Sequence, residues 1–161
     1  MRDRDPRRSR ESFNRVADLY ARYRRGYPPE VIEAVAAAAD LGAGSRVLEI
    51  GCGTGQLSVP LATLGVHLLA VELGSALAEI ARRRLHEFPG AHVEVADFEQ
   101  WPLPTQAFDA AVCANAFHWL DPGLRITKTA QALRPGGTLV IVHPHHVRGG
   151  TLRFCRDDNI T

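Results

Sequence analysis

Three short stretches carry side chains, at spacings, suited to holding a polar small molecule. The first is Glu49-Ile-Gly51-Cys52-Gly53-Thr-Gly55. Alternating glycines let the chain turn sharply and let a ligand lie against bare main chain. The N–H groups opening a following helix, at its positive dipole end, would then face a polar or anionic group. The stretch has no Gly-Lys-Ser/Thr, so it is not a phosphate-binding P-loop, and Gln56 stands where the dinucleotide fingerprint has its third glycine. The second is Glu72, about 20 residues further on, where a carboxylate can accept both hydrogen bonds of a ribose diol; alone, such a residue is often a solvated charge. The third is Asp97-Phe98, an acceptor beside an apolar ring, suited to the amino group and face of adenine. Asp97 alone fits a turn cap equally well. The three together describe a site for an adenosine-bearing ligand.

The elements that must position these groups alternate between helix and strand. Pro28-Pro29 opens a helix with Val31, Ile32, Val35 and Ala39 at helical spacing, stopped by Gly42 and Gly44. Strands are expected at 46–50, 67–71, 92–96, 108–114 and 138–142, and further helices at 56–64, from a Ser75 cap to about Phe88, and at 122–133. Pro60 falls near a helix start, where its missing N–H costs least. Strands separated by helices predict right-handed crossovers in a doubly wound, mostly parallel α/β sheet. The strands read as continuous apolar runs, the pattern of a sheet covered on both faces.

Composition narrows the classes. A chain of 161 residues, 45% hydrophobic and 23% charged, has room for one globular domain. No apolar run reaches the roughly 20 residues of a membrane-spanning helix, and Met1 to Ser12 lacks the apolar stretch of a secretory signal. Three cysteines, Cys52, Cys113 and Cys155, show no zinc or disulfide spacing, which favours a cytoplasmic setting. Cys52 and Cys113 read as small buried fillers. The net charge of +1 hides nine arginines against four acids in residues 1–25. That end reads as a solvated tail over residues 1–12, ahead of a single domain over 13–161. A nucleic-acid arm is the minority view, since Arg2 to Arg10 has no interleaved aromatics.

Several of these stretches resemble the successive motifs of class I S-adenosylmethionine-dependent methyltransferases. They are Val47-Leu-Glu-Ile-Gly-Cys-Gly-Thr-Gly55, Val71-Glu72, Ala96-Asp97, Phe108-Asp109-Ala-Ala-Val-Cys-Ala-Asn-Ala-Phe-His-Trp119 and Leu133-Arg-Pro-Gly-Gly-Thr-Leu139. The opening segment, Phe13-Asn-Arg-Val-Ala17, Tyr20 and Tyr23-Arg-Arg-Gly-Tyr-Pro28, is similar to that of the small-molecule, type 11-like subgroup, which includes trans-aconitate methyltransferase relatives. Arg25 stands where that subgroup often has proline. The resemblance covers residues 13 to about 143, with a cofactor-binding core at 45–143. It implies a Rossmann-like fold, S-adenosyl-L-methionine as cofactor, S-adenosyl-L-homocysteine as product and a small-molecule acceptor. It further implies that Glu49 and the Gly51, Gly53 and Gly55 backbone, with Cys52 among them, hold the methionine part. Glu72, with Leu73 beside it, would take the ribose and Asp97-Phe98 the adenine. Asn115 would face the methionine amino group or the transfer site, and Tyr20 and Arg24 would close over the cofactor.

Methyl transfer from a sulfonium needs alignment in a water-poor pocket rather than a metal or covalent nucleophile. A base is needed only where the acceptor must lose a proton, and His118 is the candidate; the alternative makes His118 and Trp119 pocket wall. His143-Pro-His145-His146, with Cys155, is the other cluster of metal-ligand types. Adjacent histidines split by proline suit a tetrahedral site poorly, so a solvated or substrate-lining loop is expected and no metal. The family usually adds a helix and two strands after the fifth strand. The expectation is therefore a truncated domain whose fifth strand exposes an edge, open to pairing in a homodimer. The competing readings are a cofactor-binding or dimerising module without turnover and an NAD(P)-dependent oxidoreductase.

Overall fold

The computed structural model of the chain describes residues 26–143. The elements run α1 (Pro29–Ala38), β1 (Arg46–Ile50), α2 (Ser58–Thr63), β2 (His67–Glu72), α3 (Ser75–Leu85), β3 (Ala91–Val95), β4 (Phe108–Ala114), a 3-10 turn (Phe117–Trp119), α4 (Arg125–Ala132) and β5 (Leu133–Val142). The strands form one sheet in the order β3-β2-β1-β4-β5, and each described pairing is parallel. The chain winds outward from β1 to β3 on one side and from β4 to β5 on the other. The winding direction therefore reverses between β1 and β4, where such sheets open a crevice at their carboxyl ends.

Side-chain alternation along β1 sorts the core into two layers. Leu48 and Ile50 pack with Val71, Phe108, Phe117 and Ala132 of α4, whereas Val47 packs with Val35 of α1, Leu61 of α2 and Leu57 just before α2. Full burial of each large aliphatic side chain is worth about 1.5–3 kcal/mol. These central contacts bury the strands beneath the crevice on both faces.

The flanking strands depart from the expected pattern. β3 is mostly exposed and β5 only half-buried, so continuous apolar cover holds for β1, β2 and β4 alone. Both are edge strands, and β5 pairs only with β4 among the described residues. Ile141 is 47% exposed on β5. α3 starts after Gly74 rather than a capping Ser75 side chain, because the Glu72 carboxylate accepts the Gly74 N–H and leaves Ser75 inside the helix. β5 begins at Leu133, before a register shift and Gly136 at φ 77°, rather than at Thr138.

Candidate functional site

The crevice is a cleft of about 330 Å3 whose walls come from the ends of β1, β2 and β4, the turns that follow β1, β2, β3 and β4, and Leu77 of α3. That volume lies at the small end of the range for small-molecule sites. Its floor is apolar, with Ile50, Val71 and Leu77, and its polar wall includes Glu72, Asp97 and Asn115.

The glycine turn is built as its composition demands. Gly51, Gly53 and Gly55 have φ of 72°, 58° and 87°, a region that side chains rarely adopt. At Gly51 a Cβ would also lie 2.6 Å from the Ala116 Cβ, so no larger residue fits. The Gly51 N–H donates to the Val71 carbonyl at 2.8 Å, extending the β1–β2 pairing into the start of the turn. Arg84 of α3 donates to the Thr54 carbonyl at 3.1 Å and holds the far side of the turn.

Glu72 is fixed against this turn. Its Oε2 accepts the Gly53 N–H and its Oε1 the Gly74 N–H, each at 2.8 Å. The side chain is 9% exposed and lines the cleft. Burial raises its pKa, and N–H bonds from Gly74, Gly53 and Leu73 pull it back. Leu73 lines the cleft beside it.

Glu49 is placed differently. It is 2% exposed, does not line the cleft, and its Oε2 has no hydrogen-bond partner. Burial raises its pKa from 4.5 to about 7, the nearby Ser58 hydroxyl opposes this, and the charge of Glu72 adds to it. Cys52 is buried with Ala70 and Ala81, away from the cleft wall, and burial pushes its thiol pKa well up. Cys113 is equally buried, its thiol donating to the Ile50 carbonyl. Gly51 and Gly53 line the cleft, while Gly55 packs toward Ala81.

Asp97 and Phe98 both line the cleft, Phe98 at 5% exposure. Asp97 Oδ1 also accepts the Glu99 N–H at 3.0 Å, so it caps its own turn as well as facing the cleft. Asn115 follows β4 at φ 57°, a conformation that asparagine tolerates. Its side-chain amide donates to the Tyr27 hydroxyl at 2.8 Å, 88 residues earlier in the chain. His118 and Trp119 line the rim, their rings 4.8 Å apart, and His143 meets His118 edge-on at 5.6 Å. Desolvation lowers the His118 pKa, with further contributions from His143 and Arg125.

The structure thus brings Gly51, Gly53, Glu72, Leu73, Asp97, Phe98, Asn115 and His118 to one cleft. Tyr20, Arg24, His145, His146 and Cys155 lie outside the described residues. No group of three or more potential metal ligands occurs among the described residues. Leu77 lines the cleft and went unnoticed in the sequence, and Tyr27, quoted only within the opening segment, supports the site through its bond with Asn115. Leu77 lies on the buried side of α3, a position that periodicity could have indicated; nothing local marks Tyr27 as a partner of Asn115.

Comparison with known proteins gives the arrangement a family. The Methyltransferase domain family matches residues 47–137, the span from β1 into β5. The chain belongs to this methyltransferase family. An uncharacterized methyltransferase of Mycobacterium tuberculosis is 36% identical over 131 residues, which cover 81% of this chain and 51% of that protein. A SAM-dependent methyltransferase from Thiobacillus denitrificans, solved with S-adenosyl-L-homocysteine, is 27% identical at a TM-score of 0.66, covering 81% of this chain and 54% of that one. The cyclase SpnF superposes at a TM-score of 0.74 with 22% identity, covering 84% of this chain and 59% of its own, a likeness of fold alone. The methyltransferase domain has the Rossmann-like architecture of these neighbours, and it spans about half the length of the curated relatives it matches. No helix among the described residues is long and apolar enough to cross a membrane.

Proposed function

We propose that this methyltransferase domain transfers a methyl group from S-adenosyl-L-methionine to a small-molecule acceptor. The observation that carries the proposal is Glu72, a buried carboxylate held at the cleft wall between the glycine turn and the start of α3. Carboxylate, bare backbone and an apolar wall with an acceptor beside an aromatic ring are the chemistry that a ribose, an amino-acid chain and an adenine each require. The cleft chemistry therefore fits this cofactor. When bound, S-adenosyl-L-methionine supplies an electrophilic sulfonium methyl.

The chain's own residues have separable roles. Glu72 holds the sugar diol, and Gly51 and Gly53 leave the backbone open to the methionine part. Glu49 lies behind that turn, off the cleft wall, with an unpartnered oxygen, and in this reading a cationic amino group bound beyond the turn offsets the cost of its burial. Phe98 and Asp97 receive the base. Asn115, oriented by Tyr27, faces the transfer site. His118 stands at the rim, where desolvation favours its neutral form, and in this reading takes a proton from a hydroxyl or amine acceptor. Tyr20 and Arg24 close over the cofactor in this reading.

The likeness of the opening segment to the type 11-like subgroup with trans-aconitate methyltransferase relatives supports small carboxylic acids and phenols as acceptors in this reading. A cytoplasmic setting and homodimer pairing at the open edge of β5 complete the proposal. The test is label transfer from S-adenosyl-L-methionine to a panel of such acids and phenols. Turnover that falls at least tenfold in His118→Ala supports the assignment. Cofactor binding without transfer to any acceptor would leave a binding module and reject the catalytic part.

A further inference from the structure

We infer that Lys128 is the positioning residue of the adenine end of the cleft, acting as the cap of the turn that carries Asp97 and Phe98. The inference rests on the reading that the cleft holds an adenosyl group. Residues 97–101 form a single helical turn, with the Gln100 and Trp101 N–H groups donating to the Asp97 carbonyl at 2.9 and 2.8 Å. One isolated turn is not self-supporting, because its end groups lack partners and nucleation is unfavourable. Here both ends are closed from outside the backbone. Asp97 Oδ1 accepts the Glu99 N–H at the start. At the other end the Lys128 ammonium donates to the Glu99 carbonyl at 3.0 Å and to the Trp101 carbonyl at 2.8 Å.

The same ammonium lies 5.6 Å from the centroid of the Phe98 ring, within reach of a cation–π attraction. A cation at the carboxyl end of a turn also complements its dipole. Two further bonds tie the turn down: the Trp101 indole N–H donates to Glu94 Oε1 at 2.8 Å, and Glu99 Oε1 accepts the Asp121 N–H at 2.8 Å. Lys128 differs from these two in lying over the Phe98 ring as well as bonding the turn's last carbonyls. It lies on α4, 30 residues along the chain from Phe98, and does not line the cleft. Its effect on a ligand passes through the turn.

The consequence is selectivity at the base. With the turn held, Asp97 meets the adenine amino group at a fixed place; with it loose, the aromatic surface persists but the acceptor wanders. The test is calorimetry with S-adenosyl-L-homocysteine and with S-inosyl-L-homocysteine, whose base carries a keto oxygen in place of the amino group. The wild-type chain is expected to prefer the adenosyl ligand at least tenfold. In Lys128→Met that preference collapses to within about threefold, while Lys128→Arg, which keeps a charged donor, restores most of it. Should Lys128→Met fail to fold, Lys128→Gln, with one donating amide, carries the same comparison and gives an intermediate preference. Parallel weakening of both ligands with the ratio intact would mark a merely structural lysine and overturn the inference. Equal binding of both ligands by the wild-type chain overturns it too, while leaving the cofactor reading standing. Wild-type binding of neither ligand refutes the cofactor reading itself.

Discussion

The two ends of the central strands solve opposite problems. At the amino end, Asp109 of β4 accepts the Arg46 N–H at 2.6 Å, pairs with the Arg134 side chain and lies 3.8 Å from Arg46 Nε. These bonds, the Arg46 N–H first, hold its pKa below the usual carboxylate value. At the carboxyl end, Glu49 is buried with an unpartnered oxygen and a pKa raised to about 7, over a turn with three glycines at positive φ. One carboxylate is satisfied by its own protein; the other is held at a cost the fold alone does not recover. Stability without a ligand is made at the first end and given up at the second, which marks the second as the working end.

Four substitutions would break or sharpen this contrast, taken from the largest effect downward. Gly51→Ala places a methyl group against Ala116 at a φ unfavourable to alanine. It should destabilise the domain by roughly 3 kcal/mol, read by urea denaturation, and abolish measurable S-adenosyl-L-homocysteine binding. Glu72→Gln keeps the shape and removes the charge. Loss of charge-assisted bonds to a diol should weaken that ligand about 100-fold in calorimetry; unchanged affinity would remove the sugar contact.

Glu49→Gln should act in the opposite sense on the free protein. Because the folded pKa lies above the unfolded 4.5, the native state binds more protons between about pH 4.5 and 7. Wild-type stability therefore falls as pH rises through that window and levels off above it. The variant should lack that fall and be roughly 1–3 kcal/mol more stable at pH 8, as measured by denaturation across pH. A wild-type curve flat from pH 5 to 8 would contradict the assignment.

Much of the carboxyl end was legible in the sequence, whereas the Arg46 and Arg134 partners of Asp109 at the amino end were not. The glycines of 51–55, Glu72 at a strand end and Asp97-Phe98 after another were readable because each depends on local chain direction and spacing. The order of strand and helix was readable for the same reason. An edge position for the fifth strand was an expectation of the sequence, whereas the exposure of β3 was not, since which strand ends at an edge is a property of the whole sheet. The Asn115–Tyr27 and Lys128–Trp101 bonds were equally hidden, because they join residues that only the folded chain brings together. Glu49 was legible as an acid near the glycines, yet its withdrawal from the cleft wall follows from strand alternation, which sets it on the side of Val47.

The smallest effect belongs to the amino end. Asp109→Asn should cost about 0.5–1 kcal/mol, since the carboxylate is partly exposed and solvent screens its pairs. The Asp109 contribution is present above its unfolded pKa and is lost as pH falls through its depressed folded value. Ligand affinity should not change, and a variant that lost ligand affinity would erase the division between the two ends.

The central claim is that the carboxyl-end cleft grips an adenosyl amino-acid cofactor through Glu72. Its most direct test is a pair of calorimetric titrations of the chain, one with S-adenosyl-L-homocysteine and one with NAD. The account predicts one-to-one binding of S-adenosyl-L-homocysteine and no measurable heat with NAD. Binding of NAD alone would contradict it.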